Sequence, residues 1–267
     1  MQPSSALWSR EAGPLAFAHR GGAKEAPENT WTAFERAVSL GFTWIETDVH
    51  ATSDGVGVLI HDPDLRRVAN LDLTVAAHPW AVVGTSQLAD GRPPARLEEV
   101  LAAWPDVNWN IDLKADSSVD AVVAALERCR AADRVIVGSF SGGRTARARA
   151  KLGGRVATSA GRNEIAMFAL ASRAQAVRRL KPLGIPHLTK TAALQVPLRF
   201  RRRYLVDGPF VDLAHAAGKA VHVWTIDDPS EMAYLLDLGV DGIMTDRPSD
   251  LRDVLSARGQ WRPASAS

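Results

Sequence analysis

The stretch from Trp44 to Asp62 constrains the chain most, because it combines an apolar strand pattern with two carboxylates and a histidine. Side chains alternate between the faces of a strand, so Glu46 and Asp48 share one face. Two carboxylates this close need a cation, a shared proton or full solvation. A divalent metal with oxygen ligands is the simplest solution. We interpret the stretch as part of an active site; the wet face of an edge strand is the alternative.

The second half of the same stretch predicts a hairpin that brings a histidine to the carboxylates. Asp54-Gly55 is a turn signal, and the apolar run from Val56 to Ile60 follows it as a second strand. This strand would deliver His61-Asp62 to the same end as the two acids. The apolar neighbours indicate burial, where unpaired acids are costly. Burial therefore favours the functional interpretation.

The chain is long enough for one large core. It has 267 residues, of which 46% are hydrophobic, and no sharp change of composition marks a linker. We predict an N-terminal segment 1–14, one domain 15–258 and a flexible C-terminal tail 259–267. The N-terminus lacks a signal-peptide pattern and no apolar run approaches membrane-spanning length. We therefore expect a cytoplasmic protein without stable membrane insertion.

Charge gives no general preference for nucleic acid, since the formal net charge is only +2. The exception is a run of arginines at 199 and 201–203. Such runs are usually solvated surface, although weak contact with lipid headgroups or the collection of an anion is an alternative. Cys129 is the only cysteine, which excludes an intrachain disulfide and a metal cluster built from cysteines. The oligomeric state stays open.

Short apolar runs alternate with helix-like segments, which is typical of repeated strand-helix units and a parallel sheet. Eight such units favour a single-domain (β/α)8 TIM barrel of the α/β class. A doubly wound open sheet is the runner-up, but the first strand-helix turn lacks a G-x-G-x-x-G fingerprint. The region from Val68 to Pro94 is predicted as an irregular connection with one short helix. The predicted strands are Leu15–His19, Trp44–Val49, Val56–Ile60, Val107–Leu113, Arg134–Phe140, Arg155–Ser159, Ala193–Val196, Ala220–Thr225 and Gly242–Thr245. The predicted helices are Thr30–Leu40, Leu97–Trp104, Val119–Ala131, Arg144–Leu152, Glu164–Leu180, Pro209–Ala217, Ser230–Leu238 and Ser249–Ala257.

Polar residues follow several of these strands, at the end of a TIM barrel where chemistry gathers. After the first strand, His19-Arg20-Gly21-Gly22 suits an anionic oxygen, because arginine offers a fixed fork and glycines let backbone N–H groups approach. A solvated loop is the alternative. Glu28 is placed to reach back to Arg20 or to the metal region, and Asn29 would cap the next helix. We give both a supporting role.

The strand containing Asn110-Ile111-Asp112-Leu113-Lys114 repeats this logic, with Asp112 and Lys114 on one face. Asp112 would be a third oxygen ligand, and Lys114 a positive charge that stabilises a developing oxyanion. A structural Asp-Lys ion pair is the alternative.

Two later strands end in residues with weaker signals. Trp224 either lines a substrate pocket or packs in the core. His222 shares its face and is predicted to fill the barrel interior. Asp246 is predicted to cap the final helix or to pair with Arg247.

Together these residues predict cleavage of a phosphodiester. A cation bound by Glu46, Asp48 and Asp112 would clamp a phosphoryl oxygen, Arg20 and Lys114 would neutralise the remaining charge, and two imidazoles would exchange protons. Because the proposed ligands are oxygens, Mg²⁺ or Ca²⁺, or Mn²⁺, is favoured over zinc.

The chain resembles the bacterial glycerophosphodiester phosphodiesterases over nearly its whole length, from Leu15 to about Leu255. The motifs that carry the resemblance, in family order, are A-H-R-G-G, A-P-E-N-T-W-T-A-F-E-R-A, W-I-E-T-D-V-H-A-T-S-D-G-V, I-H-D-P-D-L-R-R, L-E-E-V-L, N-I-D-L-K, V-H-V-W-T-I-D and G-V-D-G-I-M-T-D-R-P.

The resemblance implies a TIM-barrel hydrolase that uses one divalent cation to release sn-glycerol 3-phosphate and an alcohol from glycerophosphodiesters. It implies that His19 and His61 are the acid-base pair. By the same resemblance Arg20 and Lys114 contact phosphate, and Glu46 and Asp48 bind the metal. The family usually has glutamate at the position of Asp112, and the segment between His61 and Leu97 is short, without the extended lid of some members.

The sequence is also compatible with two other functions. One is a lipid phosphodiesterase of the lysophospholipase D or phospholipase C type. The other is a relative that binds phosphodiesters but has lost turnover through the change at Asp112.

Overall fold

The apolar runs of the sequence form the strands that they predict. The computed structural model describes residues 13–178, 190–201 and 203–263, without the side chains of 174–178. The strands are β1 (Leu15–His19), β2 (Trp44–Ala51), β3 (Gly57–Leu59), β4 (Asn108–Leu113), β5 (Val135–Gly138), β6 (Ala157–Thr158), β7 (Ala193–Pro197), β8 (Arg199–Phe200), β9 (Arg203–Tyr204), β10 (Ala220–Trp224) and β11 (Gly242–Thr245).

Eight of these strands are parallel neighbours in the order β6-β5-β4-β2-β1-β11-β10-β7. A parallel bridge between Ser159 and Ala193 joins the two ends of this row, so the sheet closes into a ring. Strand β3 pairs antiparallel with β2, as the hairpin prediction requires. The predicted (β/α)8 barrel is confirmed.

Helices connect successive strands and pack outside the ring. They are α1 (Trp31–Ser39), α2 (Arg66–Ala69), α3 (Trp80–Val83), α4 (Leu97–Ala103), α5 (Ser118–Arg128), α6 (Gly142–Lys151), α7 (Arg162–Arg178), α8 (Gly208–Ala216), α9 (Pro229–Asp237) and α10 (Pro248–Ala257), with 3₁₀ turns at Val75–Ala77 and Ala132–Arg134. The irregular connection therefore holds three short helical segments instead of one. The predicted end of the fifth main helix, 179–180, lies outside the described residues.

The prediction that Asn29 caps α1 is wrong. Thr30 is the N-cap, and its side chain accepts a hydrogen bond from the backbone N–H of Ala33. Asn29 instead has φ of 54°, which turns its side chain away from the helix end. The local preference of asparagine for N-caps is overridden here by contacts that its amide makes inside the barrel mouth.

Successive side chains along each strand point alternately into and out of the ring, which divides the core into two layers. Phe17, Trp44 and Met244 belong to a cluster that fills the inside of the ring, whereas Ala18 and Ile45 pack outward into the main core. Since His19 and Glu46 have the same parity as Phe17 and Trp44, they also face inward, one pleat nearer the mouth. The barrel therefore presents its polar strand ends above an apolar plug.

His222 is completely buried and fills the barrel interior, as predicted. Its ring lies 4.9 Å from that of Phe17, centroid to centroid. Burial lowers the pKa of His222 from 6.5 to about 4. Because the folded-state pKa is below the unfolded value, this histidine contributes stability that is complete above pH 6.5 and is lost as the pH falls towards 4.

We expect the His222→Phe variant to lose less stability on acidification than the wild type. Between pH 7 and pH 4 the free energy of unfolding should fall by about 3 kcal/mol more in the wild type than in the variant, because burial lowers the pKa of His222 by roughly two to three units. Urea unfolding at several pH values measures it. An unchanged pH slope in the variant would assign the acid sensitivity to other groups.

The packing of the domain extends past residue 258. Trp261, in the predicted C-terminal tail, lies 5.0 Å from Phe42 between ring centroids, so the first residues of that tail are held against the barrel. Among the described residues, no helix is both long enough and apolar enough to cross a membrane.

Candidate active site

A pocket of about 150 Å³ opens at the carboxyl ends of the strands. Eight residues predicted from the sequence line it together: His19, Arg20, Glu46, Asp48, His61, Asp112, Lys114 and Trp224. The two remaining predicted residues, Glu28 and Asn29, contact members of this set from behind. The structure thus brings the sequence motifs to one place.

Strand register explains why the acids meet. Glu46 lies beside His19 of β1, and Asp48 lies beside Asp112 of β4. All are inward-facing positions of neighbouring parallel strands, so their side chains share the mouth of the ring. Ile60 continues the β2–β3 hairpin through a backbone hydrogen bond to Asp48 of 3.0 Å, which places His61 at the same end.

His19 is held by a carboxylate that sequence reasoning assigned to another role. Its Nδ1 lies 2.6 Å from Oδ1 of Asp246, and its Nε2 lies 3.7 Å from Oε2 of Glu46. Asp246 therefore does not cap α10; it fixes the imidazole so that Nε2 faces the pocket. Burial alone would lower the pKa of His19, but the charges of Glu46 and Asp246 outweigh burial and raise it.

His61 has the same kind of partner. Its Nδ1 lies 2.7 Å from Oδ1 of Asp62, the next residue in the chain. The His61 side chain is 36% exposed against 15% for His19, so the two imidazoles differ in access to solvent. A carboxylate at Nδ1 of each ring leaves both Nε2 atoms for chemistry.

Arg67 links the two sides of the mouth and was missed from the sequence. Its Nε donates to Asp62 at 2.6 Å, and its two terminal nitrogens donate to the two oxygens of Glu28 at 2.7 Å each. Glu28 in turn accepts from Arg20 at 3.1 Å, as predicted. The chain of contacts runs from His61 through Asp62, Arg67 and Glu28 to Arg20, so Arg67 orients groups on two separate loops.

We expect Arg67→Met to lower kcat/KM about tenfold or more, because Asp62 and Glu28 would lose the cation that fixes them; losing a positioning contact commonly has an effect of this order. The neighbouring Arg66 provides a matched control, since it is paired with exposed Asp72 outside the pocket. Arg66→Met should keep wild-type kinetics. Equal losses of kcat/KM in both variants would mean that the substitutions act by destabilising the loop. Thermal unfolding of both variants measures this stability.

Lys114 lies between two of the predicted metal ligands. Its Nζ is 2.7 Å from Oδ1 of Asp48 and 2.7 Å from Oδ2 of Asp112. The second oxygen of Asp48 lies 3.1 Å from Nε of Arg20, close enough for an ion pair but not aligned as a hydrogen bond. Burial would raise the pKa of Asp48, but the charges of Lys114 and Arg20 outweigh burial and lower it. Asp48 is therefore a carboxylate anion held by two cations.

Asn29 completes the surroundings of Asp48. Its Nδ2 donates to Oδ2 of Asp48 at 3.0 Å, and its Oδ1 accepts from Thr47 at 2.7 Å. The side chain is 2% exposed. The supporting role predicted for Asn29 is therefore carried out through a carboxylate of the site and not through a helix end.

The glycines after Arg20 act through space and not through their N–H groups. Gly21 donates its N–H to the carbonyl of Ala18 and Gly22 donates to that of His19, so neither points at the pocket. Gly21 has φ of 81°, and an added Cβ there would lie 2.7 Å from that of Ala33. The prediction that these N–H groups bind an anion is wrong; a tight turn against α1 is what requires glycine.

The carboxylates of the pocket are the kind of ligand that a hard cation prefers, but in this structure the ammonium group of Lys114 lies between two of them. Burial, and after it the charge of Asp48, raise the pKa of Glu46 to about 7. The nearby positive charges of His19 and Lys114 therefore do not fully offset the cost of ionising Glu46. Oxygen-only donors are those that Mg²⁺ and Ca²⁺ prefer. Among the described residues, however, no three acids, histidines or cysteines already surround a common point. Binding a cation would require Lys114 to leave at least one of its carboxylates.

The floor and one wall of the pocket contain residues that sequence reasoning did not select. Gln195 of β7 crosses the ring and donates to Asn110 of β4 at 2.7 Å. The wall is formed by Trp224, whose ring centroid lies 5.9 Å from that of Phe140. Both aromatic residues line the pocket, which agrees with the predicted position of Trp224.

Comparison with known proteins gives consistent similarities. Residues 19–250 match the sequence model of the glycerophosphoryl diester phosphodiesterase family. A protein of Mycobacterium tuberculosis named probable glycerophosphodiester phosphodiesterase 2 is 42% identical over 257 residues, which cover 94% of each chain.

Solved structures share the fold. The crystal structure of a putative glycerophosphoryl diester phosphodiesterase from Silicibacter pomeroyi has a TM-score of 0.76 and 23% identity, covering 95% of this chain and 96% of its own. A phosphodiesterase of Oleispira antarctica, in complex with the product sn-glycerol-3-phosphate, has a TM-score of 0.73 and 22% identity, covering 91% and 97%.

Proposed function

The chain belongs to the glycerophosphoryl diester phosphodiesterase family and is a phosphoric diester hydrolase; from this premise we propose that its barrel mouth hydrolyses glycerophosphodiesters to sn-glycerol 3-phosphate and an alcohol, with one divalent cation and the pair His19 and His61. The observation that carries the proposal is the convergence of both imidazoles, two cationic side chains and three carboxylates on one pocket. In phosphodiester hydrolysis such groups can transfer protons, neutralise phosphoryl charge and bind a divalent cation.

The two histidines supply the proton transfers. Each imidazole has a carboxylate on Nδ1, Asp246 for His19 and Asp62 for His61, which fixes its orientation and tautomer. One Nε2 accepts the proton of the attacking oxygen, and the other delivers a proton to the oxygen that leaves. Two separately anchored imidazoles suit a reaction in which these oxygens lie on opposite sides of phosphorus.

Arg20 and Lys114 supply fixed positive charge. Both are mostly buried and are held by acids of the site, so their positive charge already lies at the pocket when negative charge grows on the phosphoryl oxygens. Arg20 can donate its remaining N–H groups to a phosphate oxygen, while Lys114 acts as a point charge. The Trp224 and Phe140 wall would contact the apolar face of the organic group.

Glu46, Asp48 and Asp112 would hold the divalent cation, Mg²⁺ or Ca²⁺ with Mn²⁺ as a further candidate. When bound, such an ion polarises a phosphoryl oxygen and offsets negative charge. The support for it is the oxygen-only donor set and the excess negative charge around buried Glu46.

The test measures release of glycerol 3-phosphate from glycerophosphocholine and glycerophosphoethanolamine. The enzyme is assayed with EDTA and then with Mg²⁺, Ca²⁺ or Mn²⁺ added back. We expect turnover that chelation removes and one ion restores. Thermal unfolding of Glu46→Gln with and without each ion gives a second readout, since this variant should lose the ion-dependent rise in Tm.

Different results would contradict different parts of the proposal. Turnover that persists with EDTA would exclude the cation from the proposed mechanism and leave the role of the histidine pair unaffected. Release of a phosphorylated alcohol in place of glycerol 3-phosphate would show that the other ester bond is cleaved. Hydrolysis of lysophospholipids only would contradict the deacylated substrate class.

A further inference from the structure

The loop after β7 forms a hairpin of its own beside the pocket mouth. Strands β8 and β9 pair antiparallel, with Arg199 opposite Tyr204 and Phe200 opposite Arg203. Pro197, the last residue of β7, lies beside Trp224 in the barrel register, and Trp224 lines the pocket. The hairpin therefore begins two residues after Pro197, the strand neighbour of this pocket residue.

Aromatic side chains of this hairpin face solvent. Phe200 is 60% exposed and Tyr204 is 49% exposed. Tyr204 lies 6.1 Å from Tyr234, between ring centroids, and Tyr234 is itself 42% exposed. On the pocket wall, Phe140 is 47% exposed. Exposed aromatic residues grouped at one end of a molecule indicate an interaction surface.

Each of three aromatic rings in this group carries an arginine. The guanidinium carbon lies 5.7 Å from the ring centroid for Arg201 over Phe200, 4.5 Å for Arg199 over Tyr204, and 4.4 Å for Arg162 over Phe140. We call these six residues, together with exposed Arg203 of β9, the aromatic-arginine rim: Phe140, Phe200, Tyr204, Arg162, Arg199, Arg201 and Arg203.

The rim has an excess of positive charge. Arg199 is paired with Glu231 at 2.5 Å. In the described part of the chain, no carboxylate forms an ion pair with Arg162, Arg201 or Arg203, whereas most other arginines at the surface have one. Arg202 lies outside the described residues. The basic character is therefore local, in a molecule whose formal net charge is only +2.

From these observations we infer that the aromatic-arginine rim docks the pocket mouth onto an anionic lipid surface. Aromatic rings settle at the level of the headgroups of a bilayer, where one side is apolar and the other is wet. Arginines beside them reach the lipid phosphates, and each basic residue near an anionic surface contributes about 1 kcal/mol. Docking would present the pocket to phosphodiesters of the lipid surface. The inference concerns binding, so it stands or falls separately from the proposed hydrolysis.

Sedimentation with large vesicles tests the inference. The full-length protein is mixed with vesicles of phosphatidylcholine alone, or of phosphatidylcholine with phosphatidylglycerol, and the bound fraction is measured. We expect binding to the anionic vesicles, weakening as salt is raised, and little binding to the neutral ones. The triple variant Phe200→Ser, Arg201→Gln, Arg203→Gln should reduce the partition coefficient about tenfold or more.

A control variant removes two arginines at the opposite end of the barrel. Arg262 lines a cavity at the N-terminal ends of β1 and β2, and Arg258 follows α10 at that end. The double variant Arg258→Gln, Arg262→Gln should bind as the wild type does. Circular dichroism and thermal unfolding show whether the triple variant is folded. No binding by wild type, full binding by the triple variant, or an equal loss in the control would overturn the inference.

Discussion

Replacing either His19 or His61 by alanine should lower kcat by roughly two to four orders of magnitude, the scale of losing a general acid or base. Both rings are held by a carboxylate at Nδ1, so each variant removes an oriented proton carrier and leaves the acids and cations of the pocket in place. The double variant should be little slower than the worse single one, since groups that act as a unit are not additive. Steady-state kinetics at saturating substrate measures these effects.

The chain offers a matched control for this experiment. His215 is 18% exposed and lies 2.8 Å from Asp241, much as His19 lies 2.6 Å from Asp246. Asp241 precedes β11 and Asp246 follows it, so the two pairs lie at opposite ends of the barrel. His215→Ala should keep kcat within about twofold, apart from any loss of stability. Near wild-type rates in both His19 and His61 variants would remove the acid-base pair from the mechanism.

The residues that sequence reasoning identified have one property in common: local patterns specify them. Glu46 and Asp48 share a face because strands alternate, and His61 reaches the same end because a turn signal separates two short apolar runs. Eight repeated strand-helix units then imply a ring whose carboxyl ends meet. The fold and eight of the residues that line the pocket are therefore predictable from the sequence.

The residues that were missed depend on contacts between distant parts of the chain. Asp246 reaches His19 only because β11 pairs with β1, and the two residues are 227 positions apart in sequence. Gln195 meets Asn110 across the barrel interior, 85 positions apart. An aspartate before a helix looks like a cap, and a glutamine in a short strand has no distinctive pattern.

Asn29 and Gly21 show the opposite difficulty, in which a local pattern has the wrong explanation. Asparagine before a helix predicts an N-cap, yet its amide is used by Asp48 and Thr47 inside the mouth. Glycines after a strand suggest an anion cradle, yet Gly21 is required by its contact with Ala33. In both places the residue type was informative, but only the packing decided what it does.

Lys114→Gln should lower kcat by roughly two to three orders of magnitude, because a fixed charge that stabilises the developing oxyanion is removed. The same change should raise affinity for a divalent cation, since the ammonium now lies 2.7 Å from both Asp48 and Asp112 and competes for them. Calorimetric titration with Mg²⁺ and Ca²⁺ measures the affinity, and steady-state kinetics measures kcat.

Opposite changes in turnover and cation affinity would separate this role from a structural ion pair. Loss of the pair alone would reduce stability and leave cation affinity unchanged or weaker. Lys219→Gln is the matched control, because Lys219 is also largely buried but donates to the carbonyl of Thr191, at the start of β10 and away from the mouth. It should change stability without changing the affinity for either ion. If Lys114→Gln instead keeps wild-type kcat, the positive charge that offsets the phosphoryl oxygens must come from Arg20 and the bound cation.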